Sequence, residues 1–265
     1  MISELFDLTG RKAVVTGAAS GLGRVFAEGL SHAGADVAWL DRDAALLSEC
    51  GSSSGGGHCR IIADLVDEAD VDRAAAEIGE WSGGQLDILI NNAGIATRPA
   101  RLLDVSTADW DRALATNLRS VFLATRALLP ALIASGRGSI VNISSYLGVV
   151  GAYPGFPLTS ITYSASKAGL LGLTRQIAME YAAEHVRCNA IAPGWHGGTR
   201  LGREREAAGG AAAITQLENF IDGEVPLGYR GQPKDLLGLL LYLAGDASSY
   251  VTGQVFAHDG GITAR

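Results

Sequence analysis

The sequence predicts a doubly wound α/β fold, with a mainly parallel sheet of seven strands and helices on both of its faces. Short apolar runs alternate with helix-length segments along the chain, and a glycine-rich turn follows the first run. The runs are apolar at nearly every position, as expected for strands that are covered on both faces. No linker or repeat divides the 265 residues. We therefore expect a single domain over residues 1–265.

Seven apolar runs are predicted to be strands: KAVVT at 12–16, DVAWL at 36–40, CRIIADL at 59–65, DILINNAG at 87–94, GSIVNISS at 138–145, VRCNAIAPG at 186–194 and GQVFAHDGG at 253–261. Helices are expected at 21–33, 71–81, 109–135 and 162–184, with a short helical stretch after the second strand. The region at 109–135 should break near Asn117, and Pro130 needs local accommodation because proline has no amide hydrogen. Residues 197–224 fit no element well, and we expect them to form a flap over the substrate.

Composition limits the possible functions. Hydrophobic residues make up 48% of the chain and charged residues 18%, which is enough apolar material for a large core and argues against disorder. The net charge is −7 and no basic run occurs, so nucleic acid and anionic membranes are not expected as partners. The apolar stretch LLGLLLYLAG is much shorter than the ~20 residues that span a bilayer.

The N-terminal residues and the cysteines indicate the compartment. The segment MISELFDLTGRK contains Glu4 and Asp7 and lacks the long apolar run of a signal peptide. Cys50, Cys59 and Cys188 show no C-x-x-C spacing and are expected to be free thiols in a reducing compartment. The resulting prediction is a cytoplasmic protein without a metal site.

The turn TGAASGLG, at 16–23, lies between the first predicted strand and the first predicted helix. Glycines here allow a backbone to approach a pyrophosphate, and the helix N-terminus supplies free N–H groups and the positive end of the helix dipole. A purely structural turn is the alternative, because the chain contains 35 glycines. The context of strand, turn and helix favours a dinucleotide site of the Rossmann type.

Asp41 indicates which dinucleotide would bind. It ends the second predicted strand and follows Gly21 by 20 residues, where an acidic side chain accepts hydrogen bonds from the adenosine ribose. A carboxylate there repels the 2′-phosphate of NADP, and Ser20 of the turn is not basic, so NAD is favoured over NADP. Arg42 is the opposing feature, since a guanidinium beside the ribose could bind that phosphate. A solvated strand end is the alternative for Asp41.

Tyr163 and Lys167 form the predicted catalytic pair. At i and i+4 on a helix they share one face, about one turn apart. A free tyrosine, with a pKa of about 10, is a poor base at neutral pH, and a neighbouring ammonium lowers that pKa. Only three of the 21 basic residues are lysines, and an ammonium on a slim stem can also bond ribose hydroxyls. Tyr146 and Tyr153 have uncharged residues at i+4 and are excluded; an accidental surface pair is the alternative.

Six motifs then occur in the order and context of one family: TGAASGLG, NNAG at 91–94, Asn117 in TNLRS, NISSYLG, YSASK and NAIAPG. Together they resemble the short-chain dehydrogenase/reductase family over nearly the whole chain. The G-x-x-x-G-x-G spacing of the first motif is similar to that of the compact branch of the family. The resemblance implies an oxidoreductase that binds a dinucleotide.

The resemblance also implies a role for each motif residue. Tyr163 would exchange a proton with the substrate oxygen, while Lys167 would lower its pKa and hold the nicotinamide ribose. Ser145 would hydrogen-bond the substrate oxygen, and it is preferred to Ser144 because x-x-Gly follows it. Asn117 would hold a water in a proton relay. The implied cofactor-binding residues are Gly17, Ser20, Gly21, Leu22, Gly23, Asp41, Asp64, Leu65, Asn91, Ala93, Gly94, Tyr163, Lys167, Pro193, Gly194 and Thr199.

These implied contacts cover both ends of the dinucleotide. Asp64 is expected at the adenine, Asn91 and Gly94 on the adenosine side, and residues 193–194 at the nicotinamide. Ordinary capping of a strand end or a helix end is the alternative for Asn91 and Asn117.

One departure from the family pattern precedes the catalytic tyrosine. Tyr163 follows Ser145 by 18 residues, several more than the family pattern leads us to expect. The extra material is YPGFPLTSI at 153–161, and its prolines and glycine predict a loop at the pocket mouth rather than a longer helix. We expect substrate choice to be determined there.

A second departure follows the sixth strand. Thr199 comes five residues after Gly194, one later than in the family pattern, which makes its predicted contact with the nicotinamide carboxamide less secure. Trp195 and His196 could face the substrate, and core packing or surface exposure is the alternative for the histidine.

The two ends of the chain suggest a substrate class. LFDLTGRKAVVTG and SSYVTGQVFAHDGGITAR are similar to the ends of sugar-acid and polyol dehydrogenases of the family. The prediction is NAD-dependent interconversion of a secondary alcohol and a ketone on a sugar, sugar acid or polyol. A 3-oxoacyl thioester reductase is the main alternative, though Asp41 argues against the NADPH that such enzymes use. A hydroxysteroid or aromatic dihydrodiol dehydrogenase is also open.

A further alternative comes from a different class of protein. A non-catalytic NAD-sensing regulator should lack Tyr163 or Lys167, and this chain has both. Assembly is implied by the resemblance alone: helices at 109–135 and 162–184 could pair with copies of themselves in a homotetramer, or in a homodimer. Packing within one subunit is the alternative for these helices.

Overall fold

The computed structural model describes residues 3–51, 57–97, 99–151, 160–197, 218–219, 221 and 223–264. Its strands are β1 (Lys12–Thr16), β2 (Asp36–Asp41), β3 (Cys59–Ile62), β4 (Ile88–Asn91), β5 (Ser139–Ile143), β6 (Arg187–Pro193) and β7 (Val255–His258). They form one sheet in the order β3-β2-β1-β4-β5-β6-β7, and every pairing is parallel. The predicted seven-stranded α/β fold is confirmed.

The helices connect these strands. They are α1 (Gly21–His32), α2 (Ala44–Ser48), α3 (Glu68–Ser82), α4 (Thr107–Leu114), α5 (Ser120–Ala134), α6 (Ile161–Glu180) and α7 (Leu237–Ala244). The start of α3 lies earlier than predicted because Asp67 caps it, its carboxylate accepting the N–H of Ala69 at 2.9 Å. Hydrophobic periodicity does not locate such a cap, because it identifies only the residues on the buried face of a helix.

The strand order reverses direction between β1 and β4. From β1 the chain proceeds outward through β2 to β3, and then returns to build β4 to β7 on the other side of β1. Loops that leave the carboxyl ends of β1 and β4 therefore diverge and leave a crevice between them. In open α/β sheets this crevice is where ligands bind.

Two apolar layers cover the sheet. One face packs against α1 and α7, with Phe26, Trp39 and Leu240 fully buried between them. The other face packs against α3 and α5, with Leu89 and Leu123 buried there. Burial on both faces explains why the strands are apolar at nearly every position.

The helical region between β4 and β5 contains the predicted break. A π-helical turn at Ala115–Arg119, with Asn117 inside it, separates α4 from α5. Pro130 lies within α5, which continues through it to Ala134. The whole stretch Thr107–Ala134 is long and apolar enough to cross a membrane by length and composition, with a mean hydropathy of 1.2 in its most apolar window. Part of this window is buried inside the protein, where α5 packs on the sheet.

Helix α6 differs from its predicted bounds at both ends. It begins at Ile161, directly after its capping residue Ser160, and it ends at Glu180 rather than at residue 184. The chain then turns through His185, whose φ of 60° closes the turn into β6. Of the predicted loop at 153–161, only the last two residues belong to the described chain. Residues 198–217 of the predicted flap, Thr199 among them, also lie outside the described residues.

Candidate active site

A cavity of about 420 Å³ opens at the carboxyl ends of β1, β4, β5 and β6. It occupies the crevice that the reversal of strand order creates. Most of the predicted site residues line it, from both ends of the proposed dinucleotide: Gly17, Ser20, Gly21, Leu22, Asp41, Asp64, Leu65, Ala93, Gly94, Ser145, Tyr163, Lys167, Pro193 and Gly194. Gly23, Asn91 and Asn117 are not among the lining residues.

The glycine-rich turn presents bare backbone to this cavity. Gly17 has a φ of +65°, and a Cβ there would lie 2.9 Å from the Cα of Ala93. Gly23 faces inward instead, because a Cβ at that position would lie 2.1 Å from the carbonyl oxygen of Gly17. Side chains are thus excluded at Gly17 and Gly23, and α1 begins at Gly21 with its N-terminus at the cavity. A pyrophosphate fits this arrangement of free N–H groups and helix dipole.

Asp41 lies at the end of β2, where the adenosine ribose was expected. Its two carboxylate oxygens accept the backbone N–H groups of Ala19 and Asp43, each at 3.0 Å. These bonds fix the carboxylate against the glycine-rich turn, and each oxygen retains a lone pair for a further donor. The adjacent Arg42 also lines the cavity. The carboxylate that favours NAD and the guanidinium that could bind the 2′-phosphate of NADP therefore lie at the same end of the cavity.

The adjacent asparagines of the NNAG motif have different environments. Asn91 is 1% exposed, and its Nδ2 donates to Thr125 Oγ1 at 3.0 Å and to Asn142 Oδ1 at 2.8 Å, inside the protein. Asn92 lines the cavity instead, and its Nδ2 donates to the carbonyl oxygen of Thr16 at 2.9 Å. Asn91 therefore holds β4 to its neighbours, which agrees with the structural alternative, whereas Asn92 fixes the end of β1 beside the cavity.

Tyr163 and Lys167 share the inner face of α6, and both are buried. The Nζ of Lys167 lies 5.8 Å from the centroid of the Tyr163 ring and donates to the carbonyl oxygen of Ile143 at 2.8 Å. Burial lowers the pKa of Lys167 from 10.5 to about 8, so the side chain is still mainly an ammonium at neutral pH. The arrangement places a positive charge one helical turn from the phenol.

The two serines after β5 use their hydroxyl groups differently. Ser144 Oγ donates its hydrogen to the carbonyl oxygen of Lys167 at 2.9 Å. Ser145 Oγ accepts the N–H of Leu147 at 3.2 Å, a bond that uses a lone pair and not the hydroxyl hydrogen. Ser145 can therefore donate to an oxygen in the cavity, which it lines, and the geometry favours it over Ser144 for that purpose.

Asn117 joins three parts of the site. Its Oδ1 accepts the N–H of Ile95 at 2.8 Å, and its Nδ2 donates to the carbonyl oxygen of Ile95 at 3.1 Å and to Ser166 Oγ at 3.2 Å. The side chain thus ties the loop after β4 to α6, from a π-helical turn of the kind that often occurs at functional sites. The water-holding role implied by the resemblance remains a prediction.

Trp195 and His196 line the cavity after β6. The ring of Trp195 packs against Tyr146, with centroids 6.1 Å apart. His196 Nε2 lies 3.2 Å from His258 Nδ1, and burial lowers the pKa of His196. Among the described residues, no group of three His, Cys, Asp or Glu side chains is arranged to hold a metal ion.

Sequence reasoning missed part of the lining. Besides Asn92, the cavity is lined by Arg112, Thr116 and Ser120. These three follow the i, i+4, i+8 spacing of one helix face, which is the signal that could have identified them. For Asn92 the signal was the alternation of side chains along a strand, because one of two adjacent asparagines must face away from the other.

The cavity combines a glycine-rich turn at a helix N-terminus with a tyrosine beside an ammonium. The first feature suits the diphosphate of a dinucleotide, and the second suits proton exchange with a substrate oxygen. Hydride transfer between a dinucleotide and an alcohol or ketone requires a site for the cofactor and a group that exchanges a proton with the substrate oxygen, and this cavity offers both. By fold and site, the protein is therefore a dinucleotide-dependent oxidoreductase.

Comparison with known proteins identifies the family. A family model described as Enoyl-(Acyl carrier protein) reductase matches residues 17–263. The chain is 38% identical over 271 residues to 2-dehydro-3-deoxy-D-gluconate 5-dehydrogenase of Escherichia coli, with all of both chains covered. It is 36% identical over 260 residues to galactitol 2-dehydrogenase (L-tagatose-forming) of Cereibacter sphaeroides, covering 98% of this chain and 97% of that one. The protein belongs to the short-chain dehydrogenase/reductase family.

Solved structures agree with this assignment. One is a Beutenbergia cavernae protein described as an NAD(P)-dependent gluconate 5-dehydrogenase, with NADP bound at low occupancy. It superposes with a TM-score of 0.87 at 36% identity, over 98% of this chain and 100% of that chain. The protein is thus an enzyme that acts on hydroxyl or keto groups, as the motifs predict.

Proposed function

We propose that the protein is an NAD(H)-dependent oxidoreductase that interconverts a secondary alcohol and a ketone, on a sugar, sugar acid or polyol. The observation that carries the proposal is the position of Tyr163, buried on α6 with the Lys167 ammonium 5.8 Å from its ring and Ser145 also lining the cavity. Bound NAD would accept a hydride from the alcohol carbon, and NADH would return it to the ketone.

The residues of the chain perform the proton chemistry. In the oxidation direction, Ser145 donates a hydrogen bond to the substrate oxygen and orients the alcohol. Tyr163 removes the hydroxyl proton, and the positive charge of Lys167 favours the phenolate that this requires. Asn117, which connects the loop after β4 with α6, would hold the water through which the proton leaves. In reduction the same groups act in the reverse order.

The substrate class is supported by the two relatives described above. One acts on a deoxygluconate and the other on a polyol, and both align with nearly the whole chain. A panel of sugar acids, polyols, hydroxysteroids and dihydrodiols, each assayed with NAD by the absorbance of NADH, tests the assignment. We expect a sugar acid or a polyol to give the highest kcat/KM. Turnover of only the steroids or dihydrodiols would overturn this part of the proposal.

A 3-oxoacyl thioester reductase is the second candidate, because the chain is also 35% identical over 260 residues to a 3-oxoacyl-[acyl-carrier-protein] reductase of Thermotoga maritima, over 96% of this chain and 98% of that one. Asp41 at the end of β2 argues against it, since the carboxylate would lie beside the 2′-phosphate of NADPH. Reduction of an acetoacetyl thioester with NADPH, compared with NADH, separates the two candidates. A non-catalytic NAD-sensing regulator would turn over no member of the substrate panel.

For cofactor choice, we propose NAD over NADP because of Asp41. Replacing Asp41 by alanine should raise the ratio of kcat/KM for NADP to that for NAD by about ten-fold or more, since the variant no longer repels the 2′-phosphate and Arg42 can pair with it. The matched control is Arg42→Ala in the Asp41→Ala background, which should cancel most of the gain. An unchanged cofactor ratio in Asp41→Ala would refute the assignment of the ribose site.

For assembly, we propose a homotetramer, or a homodimer, in which the groove between the α4–α5 region and α6 packs against the same groove of a second copy. The groove has a volume of about 600 Å³ and is lined mainly by apolar and small residues: Leu114, Ala115, Leu118, Phe122, Gly169, Gly172 and Leu173. Phe122 is 44% exposed there, and Gly172 faces outward with no atom within 4 Å of where its Cβ would lie. A second copy of α6 could approach closely at such a glycine.

Gly172→Arg is therefore expected to reduce the assembly to a smaller species, because the new side chain blocks the approach of another copy while its Cβ meets no atom of the subunit within 4 Å. Arginine also favours a helix more than glycine does. The matched control is Gly79→Arg on α3, where a Cβ would again meet no atom within 4 Å. Sedimentation velocity should show a lower mass for Gly172→Arg alone; equal masses for the two variants would exclude this interface.

A further inference from the structure

Three buried hydroxyl groups form a closed ring at the start of α6, the helix that carries Tyr163 and Lys167. They belong to Thr97 in the loop after β4, to the capping residue Ser160, and to Thr162 on α6, and they are 5%, 4% and 2% exposed. Thr162 Oγ1 donates to Thr97 Oγ1 at 2.9 Å, Ser160 Oγ lies 3.1 Å from Thr162 Oγ1, and Thr97 and Ser160 are also hydrogen-bonded. None of these residues lines the cavity.

The donors and acceptors of the ring determine its direction. Each hydroxyl has one hydrogen, so once Thr162 donates to Thr97, Thr97 donates to Ser160 and Ser160 donates to Thr162. All three hydrogens are then used within the ring. Ser160 is the N-cap residue of α6, and the second lone pair of its Oγ accepts the backbone N–H of Tyr163 at 3.5 Å. The ring therefore ends on the backbone of the residue whose phenol performs the chemistry.

A second set of hydrogen bonds connects the loop after β4 to α6 on the other side of Tyr163. Asn117 holds Ile95 by two hydrogen bonds and Ser166 by a third. The loop at 94–97, which begins at the cavity, is thus connected to α6 one residue before Tyr163 and again three residues after it. A backbone bridge between Ala100 and Ser160 adds to the first connection.

We infer that Thr97, Ser160 and Thr162 are positioning residues for Tyr163: the ring sets where α6 begins relative to the loop at 94–97, and so sets the distance from the phenol to the cofactor and substrate. The inference rests on the proposed function of Tyr163 as the acid/base. Because the ring is buried and closed, it provides a fixed reference for the start of α6.

The test is Thr162→Val, which keeps the shape of the side chain and removes the hydroxyl. We expect kcat to fall about ten- to a hundred-fold, because a small displacement of a reacting group is costly, with little change in the dissociation constant of NAD. The pH dependence of kcat should also move to higher pH as the phenol leaves the field of Lys167. Thr162→Ser, which keeps the hydroxyl, should restore kcat and the pH dependence.

The matched control is Thr174→Val, further along the same helix. Thr174 is also fully buried, and its hydroxyl donates to Leu170 O at 2.8 Å and accepts from Asn142, away from the cavity. It should lower the melting temperature without altering the pH dependence of kcat. If Thr162→Val does the same and retains its kcat, the ring is only a structural element and the inference is wrong.

Two further measurements keep the result interpretable. Thr97→Val opens the ring from the loop rather than from the helix, and it replaces Thr162→Val if that variant does not fold. Tyr163→Phe is assayed alongside. Turnover that survives in Tyr163→Phe would overturn the proposed function itself, whereas loss of turnover in Tyr163→Phe with full kcat in both valine variants would overturn the positioning role alone.

Discussion

Tyr163→Phe should abolish turnover while NAD binding survives. The substitution removes one oxygen and keeps the ring, so the buried packing around α6 is preserved and the cavity keeps its shape. Loss of a positioned acid/base costs about 10²–10⁴-fold in rate. Loss of kcat in that range, with an unchanged dissociation constant for NAD by fluorescence or calorimetry, is the expected result.

Tyr181→Phe is the matched control for this substitution. Tyr181 caps the far end of α6, away from the cavity, so the same chemical change should leave kcat near its original value. If Tyr163→Phe retained near-full activity on the physiological substrate, the assignment of Tyr163 as the acid/base would be wrong.

Lys167→Met should lower kcat by a factor of about 10² or more, and it should weaken NAD binding as well. The substitution removes the charge that favours the Tyr163 phenolate and the donor expected to bond the nicotinamide ribose. Methionine is unbranched and fills a similar volume, which limits damage to packing. Steady-state kinetics and NAD titration measure the two effects separately, and Lys234→Met, at an exposed lysine, is the matched control.

The same variant tests the burial of the ammonium. Because the pKa of Lys167 is lowered to about 8 in the folded protein, the folded chain binds fewer protons than the unfolded chain between about pH 8 and 10.5. Lysine at this position therefore opposes folding most strongly below pH 8, and its cost falls as the pH rises through that window. The melting temperature of the wild type should gain on that of Lys167→Met from pH 8 upward. A constant difference between the two would contradict a buried ammonium.

Much of the fold follows from the sequence because its determinants are local. Strands that are buried on both faces need apolar residues throughout, and the runs at β1, β4, β5 and β6 show this directly. The glycine-rich turn needs Gly17 and Gly23 because the backbone passes too close there for a side chain, and the strand–turn–helix pattern of the sequence already predicts such a turn. The break at Asn117 was predicted from its motif and is confirmed as a π-helical turn.

Features that depend on tertiary contacts could not be predicted in the same way. The sequence shows two asparagines at the end of β4, and only the packed sheet shows that Asn91 is used inside the protein while Asn92 lines the cavity. The structure favours Ser145 as the donor to the substrate oxygen because Ser144 already donates its hydroxyl hydrogen to the carbonyl oxygen of Lys167 on α6. The sequence does not show the direction of that hydrogen bond. The hydroxyl ring joins residues more than 60 positions apart, and no local pattern indicates such a contact.

The central claim is that Lys167 makes Tyr163 a usable acid/base, and a titration of the phenol tests it most directly. The absorbance of tyrosinate is measured against pH with NAD bound, and the curve for Tyr163→Phe is subtracted from the curve for the wild type. We predict that Tyr163 ionises well below the pKa of about 10 of a free tyrosine, and that Lys167→Met moves this step to higher pH. Ionisation at or above the free value, or a step that stays in place in Lys167→Met, would contradict the mechanism.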